Sequence, residues 1–307
     1  MGREASMKVV VAGGTGFIGR RVVDALLKKE GVRVAVTTRD PTRDPWGGRV
    51  ERIQAFAGDP VSLGRAFSGA DVVVQAIQFP NHPVEDPSRG YTYLEVDGRG
   101  TRVAAEVARK VGVRRFVYLS GAGAGQGRPQ PWFRAKDIAE AAIREAKLEH
   151  ALLRSSWVYG PGDRSMSRFV SFCRYLPVVP VVGDGRTPVW PIHVADLARC
   201  AADAAVREDV KETAVEIGGP ERLTMDGVVR TIQRVLHRRQ PLLHQPVGLA
   251  RVGARFLALL PRPLLSPGAV DFVTAVVEID PRPARELFGG RFRTLEEGLR
   301  EDLGRAL

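Results

Sequence analysis

The apolar run Val9-Val10-Val11 leads directly into Ala12-Gly13-Gly14-Thr15-Gly16-Phe17-Ile18-Gly19, and no other stretch limits the fold so tightly. A buried strand that meets glycines and then an amphipathic segment is a strand turning into a helix. Glycine is needed there because the backbone bends sharply and must approach a ligand with no Cβ in the way. The following helix points its unpaired N–H groups and the positive end of its dipole into the turn. The spacing fits both Gly13-x-x-Gly16-x-x-Gly19 and Gly14-x-Gly16-x-x-Gly19. Between a strand and a helix, such glycines cradle a pyrophosphate. Gly13, Thr15, Gly16, Phe17, Ile18 and Gly19 are therefore expected around the phosphates.

Beyond this turn, strand and helix patterns alternate. Lys8–Ala12, Arg33–Thr38, Ile53–Ala57, Asp71–Ile77, Arg115–Ser120 and Ala151–Arg154 read as strands. Phe17–Lys29, Val61–Phe67, Val96–Val111 and Arg134–Ala146 read as the helices between them. The order implies an α/β fold, a Rossmann-type doubly wound parallel sheet covered on both faces. Ligands of such sheets sit beyond the carboxyl ends of the strands, where strand order reverses, so Ala76 and Ser120 join the glycines around one crevice. From Gly160 onward, turns at Leu176-Pro177, Val179-Pro180 and Gly183-Asp184-Gly185 break up the chain, with helices at Val194–Val206 and Thr224–Leu236. Prolines then recur from Pro241 to Pro283. The expected organisation is a dinucleotide-binding domain over 1–160, then 161–307 with the last sheet strands and a small C-terminal substrate lobe.

With 307 residues the chain can bury a large core. The formal charge is +11, and only seven of the 46 cationic residues are lysine. Such a balance favours anionic partners, with a solvated arginine surface as the plainer explanation. No aromatic-interleaved basic motif is present, so nucleic acid is not an expected partner. Cys173 and Cys200 have neither CxxC spacing nor a histidine cluster, so buried thiols are expected and no metal site. The N-terminus shows no apolar leader and no run long enough to span a bilayer, which points to a cytoplasmic protein. Val247–Leu260 is apolar apart from Arg251 and Arg255. It reads as a buried helix with an arginine edge, weakened by Gly248 and Gly253, with contact to anionic lipid as the alternative.

Several ordered motifs resemble the short-chain dehydrogenase/reductase superfamily in its extended and atypical branches. Ala12–Gly19 resembles the TGxxGxxG fingerprint, and Gly58-Asp59 the Gly-Asp whose carboxylate contacts adenine. Arg154–Gly162 is similar to the RPxxVYGPG stretch of nucleotide-sugar epimerases and dehydratases, and Pro191–Asp196 follows Gly183-Asp184-Gly185 as in that family. The nearest likeness is to atypical members related to the NADPH-binding accessory subunit of respiratory complex I. The resemblance implies that Asp59 meets the adenine, Lys136 the nicotinamide ribose, and Ser120 the reacting carbonyl. It also exposes a departure. The family's Tyr-x-x-x-Lys pair has Lys136 here, but Trp132 stands where the tyrosine belongs. An indole N–H donates a hydrogen bond and exchanges no proton near neutral pH. Tyr159, water or the substrate is left as the proton source.

The coenzyme itself is read at the end of the second strand. A carboxylate there accepts the ribose 2′-hydroxyl of NAD. Here Arg39 occupies the position with Arg43 nearby, and a guanidinium suits a 2′-phosphate. NADP(H) is expected over NAD(H), while the adjacent Asp40 leaves NAD open. Two functions follow: an NADP(H)-binding oxidoreductase of unknown small-molecule substrate, or a nonenzymatic NADPH-binding structural or redox-sensing subunit of a larger complex.

Overall fold

The structure is a computed structural model that describes residues 6–257 and 266–304. The first half comprises β1 (Met7–Ala12), α1 (Phe17–Leu26), β2 (Val32–Thr38), β3 (Glu51–Gln54), α2 (Pro60–Phe67) and β4 (Val72–Gln75). A π-helical segment, Tyr93–Arg99, then runs into α3 (Gly100–Lys110). β5 (Arg115–Gly121), α4 (Pro131–Glu145) and β6 (Glu149–Ser155) follow. Next come β7 (Val158–Tyr159), α5 (Met166–Tyr175), β8 (Val179–Val182), β9 (Pro188–Val189), β10 (Ile192–His193) and α6 (Val194–Val206). β11 (Thr213–Ile217), β12 (Leu223–Thr224), α7 (Met225–Val235) and β13 (Leu242–Gln245) come after them. α8 (Val247–Leu257), α9 (Pro267–Thr274), α10 (Arg282–Phe288) and α11 (Leu295–Gly304) complete the described chain.

Seven strands form one parallel sheet in the order β11-β6-β5-β4-β1-β2-β3. The Val-rich runs explain why. Val9, Val11, Val34, Val36, Val72 and Val74 point to the face covered by α1 and α6. Val10, Ala35 and Val73 point to the opposite face, beneath α2, α3 and α4. A strand buried on both sides needs apolar residues at every position, which is the pattern of a parallel, helix-covered sheet. The chain runs outward from β1 through β2 to β3, then returns to β4 on the other side of β1. That reversal opens the cleft above the carboxyl ends of β1 and β4.

The expected Rossmann-type sheet is thus present, and β11 returns from the second half to extend it. A separate core of Met166, Val179, Val228, Val229, Ile232 and Leu299 holds α5, α7 and α11 together beside the sheet. Both cysteines are buried, as expected, and burial raises their thiols to about 11 at Cys173 and about 12 at Cys200. Among the described residues no helix is long and apolar enough to cross a membrane. Nor does any group of three or more His, Cys, Asp or Glu among them form a metal site.

Candidate coenzyme and substrate cleft

A cleft of about 2400 Å³ runs across the carboxyl ends of the strands and into the second-half lobe. Its floor is the glycine turn. Gly13 has φ +81°, and a Cβ there would lie 2.9 Å from the Ala76 carbonyl oxygen. A Cβ on Gly19 would overlap the carbonyl of Gly13. The turn is therefore held close to β4, with Gly13 N–H donating to Thr37 Oγ1 at 3.0 Å. Gly16 is the N-cap residue of α1, which has no side-chain cap and no acidic residue in its first turn. Its open N–H groups face a cleft bordered by Thr15, Gly16, Phe17, Ile18 and Arg20. An uncapped helix end beside an arginine fits a pyrophosphate.

At the far end of β2, Arg39 lines the cleft. Asp40 does not: its carboxylate accepts the Thr42 hydroxyl at 2.5 Å and the Thr42 N–H at 3.1 Å. The Thr42 hydrogen bonds, with Arg43 nearby, hold the Asp40 carboxyl below its usual range. Asp59, which the resemblance sets against the adenine, caps α2. Each of its oxygens accepts one backbone N–H, from Val61 at 3.2 Å and from Ser62 at 3.1 Å. Gly58, not Asp59, borders the cleft, together with the apolar Phe56 and Ala57. Asp59 followed by Pro60 is a cap followed by a first-turn proline, a signal the sequence already carries.

The opposite half contains Ser120, Lys136 and Trp132, and each has partners that sequence reading missed. Ser120 Oγ donates to Glu140 Oε1 at 2.8 Å, and Glu140 also accepts from Arg154 Nε and Nη2 at 2.9 and 2.6 Å. Burial alone would raise the Glu140 carboxyl. The hydrogen bonds from Arg154 and Ser120 and the nearby arginine charges outweigh it and hold the group below its usual value. The Ser120 proton is thus committed to an ionised carboxylate, so toward the cleft its oxygen offers lone pairs. Lys136 is not paired with Glu140 one turn on. Its ammonium donates to Asp97 Oδ1 at 2.8 Å and to Tyr118 Oη at 3.2 Å. Asp97 is fully buried and its second oxygen has no partner among the described residues.

Trp132 is packed in an aromatic cluster with Phe79, His82, Tyr93, Phe133 and Phe272. Within it Tyr93 Oη and His82 Nε2 share a hydrogen bond of 3.2 Å, and both residues border the cleft. Burial and the Lys136 charge push the His82 imidazole down to about 3, so it is neutral at physiological pH. Tyr159 is a correction. Its ring is fully buried against His193 and its hydroxyl donates to the Thr294 carbonyl at 3.2 Å, away from the cleft. It has no access to a substrate there. His193 caps α6: its ring accepts the Ala195 N–H, and its other nitrogen lies 3.3 Å from Asp302.

A profile of NAD(P)H-binding proteins matches residues 13–171, from the glycine turn into α5. The chain belongs to the NAD(P)H-binding family. It is 27% identical over 248 residues to the mouse NADH dehydrogenase [ubiquinone] 1 alpha subcomplex subunit 9, covering 77% of this chain and 64% of that protein. The chain therefore spans less than two thirds of that relative's length. It is also 27% identical over 292 residues to the (4-alkanoyl-5-oxo-2,5-dihydrofuran-3-yl)methyl phosphate reductase of Streptomyces griseus subsp. griseus, covering 90% and 94% of the two chains. The fold superimposes on a UDP-glucose 4-epimerase from Thermotoga maritima with TM-score 0.73 at 21% identity, over 97% and 98% of the chains. These matches place the chain among atypical short-chain dehydrogenase/reductase-like proteins, an oxidoreductase-like group.

Proposed function

We propose that the protein is an NADP(H)-dependent oxidoreductase acting on a small carbonyl compound. The observation that carries this reading is the turn after β2, where Arg39 faces the cleft while the Asp40 carboxylate is folded back onto Thr42. A guanidinium offers charge-assisted, paired donors to a 2′-phosphate, while one oxygen of the neighbouring carboxylate, Asp40 Oδ1, is engaged by Thr42 and Asp40 does not line the cleft. The reduced coenzyme, when bound, supplies a hydride. The chain supplies the rest. The N-terminal end of α1 receives the pyrophosphate, and Phe56 and Ala57 give the adenine an apolar wall. Lys136, oriented by Asp97, reaches the nicotinamide ribose, and the Ser120 oxygen, its proton held by Glu140, accepts from a donor in the cleft.

With Tyr159 turned inward, Tyr91 and Tyr93 are the phenols that border the cleft among the described residues, and Tyr93 packs its ring beside Trp132. Its ring centroid is 6.1 Å from the indole. Burial and the Asp97 and Glu85 charges raise its hydroxyl and keep it protonated, and in this reading it donates to the carbonyl oxygen with neutral His82 as its partner. The Streptomyces griseus relative, matched nearly end to end, supports a reductase. A second reading, NADPH held as a structural or redox-sensing ligand without turnover, is favoured by Trp132 itself and by the mouse subunit. Arg39→Ala tests the coenzyme assignment common to both. Loss of one charge-assisted contact to phosphate should weaken NADPH by roughly 10- to 100-fold and leave NADH nearly unchanged. Equal losses for the two would sink it.

A further inference from the structure

The sequence reads α8 as a buried helix with an arginine edge; the structure shows a different arrangement. Ala250 and Ala254 pack inward against Val270 of α9. The opposite side carries Leu249, Val252 and Phe256, exposed by 65, 48 and 70%. At 3.6 residues per turn these three lie within about 60° of one another, one continuous apolar stripe. Leu243 on β13, Val273 on α9 and Val276 just beyond it are also about half exposed. Residues 258–260, the end of the apolar stretch, lie outside the described residues. The stripe lies next to the cleft, since Gln245 at the foot of α8 and Val273 of α9 both border it.

Charge singles out the occupant. Residues 227–257 hold six arginines and neither Asp nor Glu. Arg251 and Arg255 flank the stripe on one side. Arg251 is tied to Asp271 of α9 at 2.7 Å, and Arg255 is exposed. A second copy of the chain docked face to face would bring a second Arg255 to the contact and no carboxylate from residues 227–257, because a two-fold contact repeats the same patch on both sides. An anionic headgroup layer instead meets the cations and admits the apolar side chains just beneath it.

We propose that α8 is a peripheral docking helix that seats the mouth of the cleft on an anionic bilayer surface. The helix lies in the plane of the interface, with Leu249, Val252 and Phe256 in the acyl boundary and Arg255 among the headgroups. This docking is independent of which coenzyme the cleft holds.

The test is co-sedimentation of the full-length protein with vesicles of phosphatidylcholine alone or mixed with phosphatidylglycerol. It is run near 0.1 M salt, where screening extends to about 10 Å, and again at high salt. Binding to the mixed vesicles that weakens with salt is expected, with little binding to phosphatidylcholine. Leu249→Ser/Phe256→Ser should lower partitioning by roughly tenfold or more, because interfacial binding scales with buried apolar area. Arg255→Gln should lower it roughly fivefold, the scale of one cation near an anionic surface. Unchanged far-ultraviolet circular dichroism and NADPH affinity show that each variant is folded. No binding by the wild type, or equal binding by the double variant, overturns the proposal. A concentration-dependent dimer that the same double change dissolves also overturns it and assigns the face to a second copy.

Discussion

Replacing Glu140 by alanine should destabilise the fold by about 3 kcal/mol, through an uncompensated guanidinium. Glu140 is 1% exposed and is the acceptor shared by Ser120, Arg154 and Arg144. Arg144 is largely in water, and ion pairs of that kind contribute roughly 0–1 kcal/mol. Arg154 decides the magnitude, because its side chain is only 19% exposed and is gripped through two nitrogens. Breaking a buried pair by removing one partner costs about 3–5 kcal/mol, and the water that still reaches Arg154 sets the lower end of that range. Glu140→Gln keeps the volume and one carbonyl oxygen, so it should cost about 1.5 kcal/mol, the scale of a hydrogen bond to a charged group.

Urea unfolding followed by tryptophan fluorescence measures both variants. The sign of the pH dependence is fixed as well. Because the Glu140 pKa is lowered in the fold, its contribution is full above the unfolded glutamate value of about 4.3 and is lost as pH falls through the folded value. The gap between wild type and Glu140→Gln should therefore narrow below about pH 4. A loss under about 1 kcal/mol for Glu140→Ala, or a gap that widens on acidification, refutes the network as described.

Gly19→Ala forces a Cβ into the Gly13 carbonyl, so it should abolish NADPH binding in calorimetry and cost about 1–3 kcal/mol of stability. A variant that binds normally would remove the turn from the site. For any carbonyl compound the wild type reduces, Tyr93→Phe should slow turnover by about 10²- to 10⁴-fold with NADPH affinity intact. Tyr159→Phe should leave turnover unchanged and cost about 1 kcal/mol of stability through the lost bond to Thr294. The reverse pattern in steady-state rates would restore Tyr159 as the proton source.

The sheet was legible because parallel strands covered on both faces must be apolar at successive positions, as Val9-Val10-Val11 and Val72-Val73-Val74 are. The glycine turn was legible because its spacing is a local property. What escaped were contacts between residues far apart in the chain. Nothing near Lys136 in sequence announces Asp97, and nothing near His193 announces Asp302. The helix read as Val96–Val111 begins instead with a π-helical segment at Tyr93, and that segment places Tyr93 and Asp97 opposite Trp132 and Lys136. Tyr159 carried the family motif, but a motif does not say which way a ring points once β7 pairs with β10 and α11 closes over it. The α8 stripe misled for a related reason. Apolar periodicity marks a face that needs a partner and does not say whether the protein provides one.

The cleft is proposed to select a 2′-phosphate through Arg39. Isothermal calorimetry of the purified protein with NADPH and with NADH tests it most directly. NADPH should bind more tightly by about tenfold or more, the worth of one charge-assisted phosphate contact at Arg39. Equal affinities, or tighter binding of NADH, would contradict it.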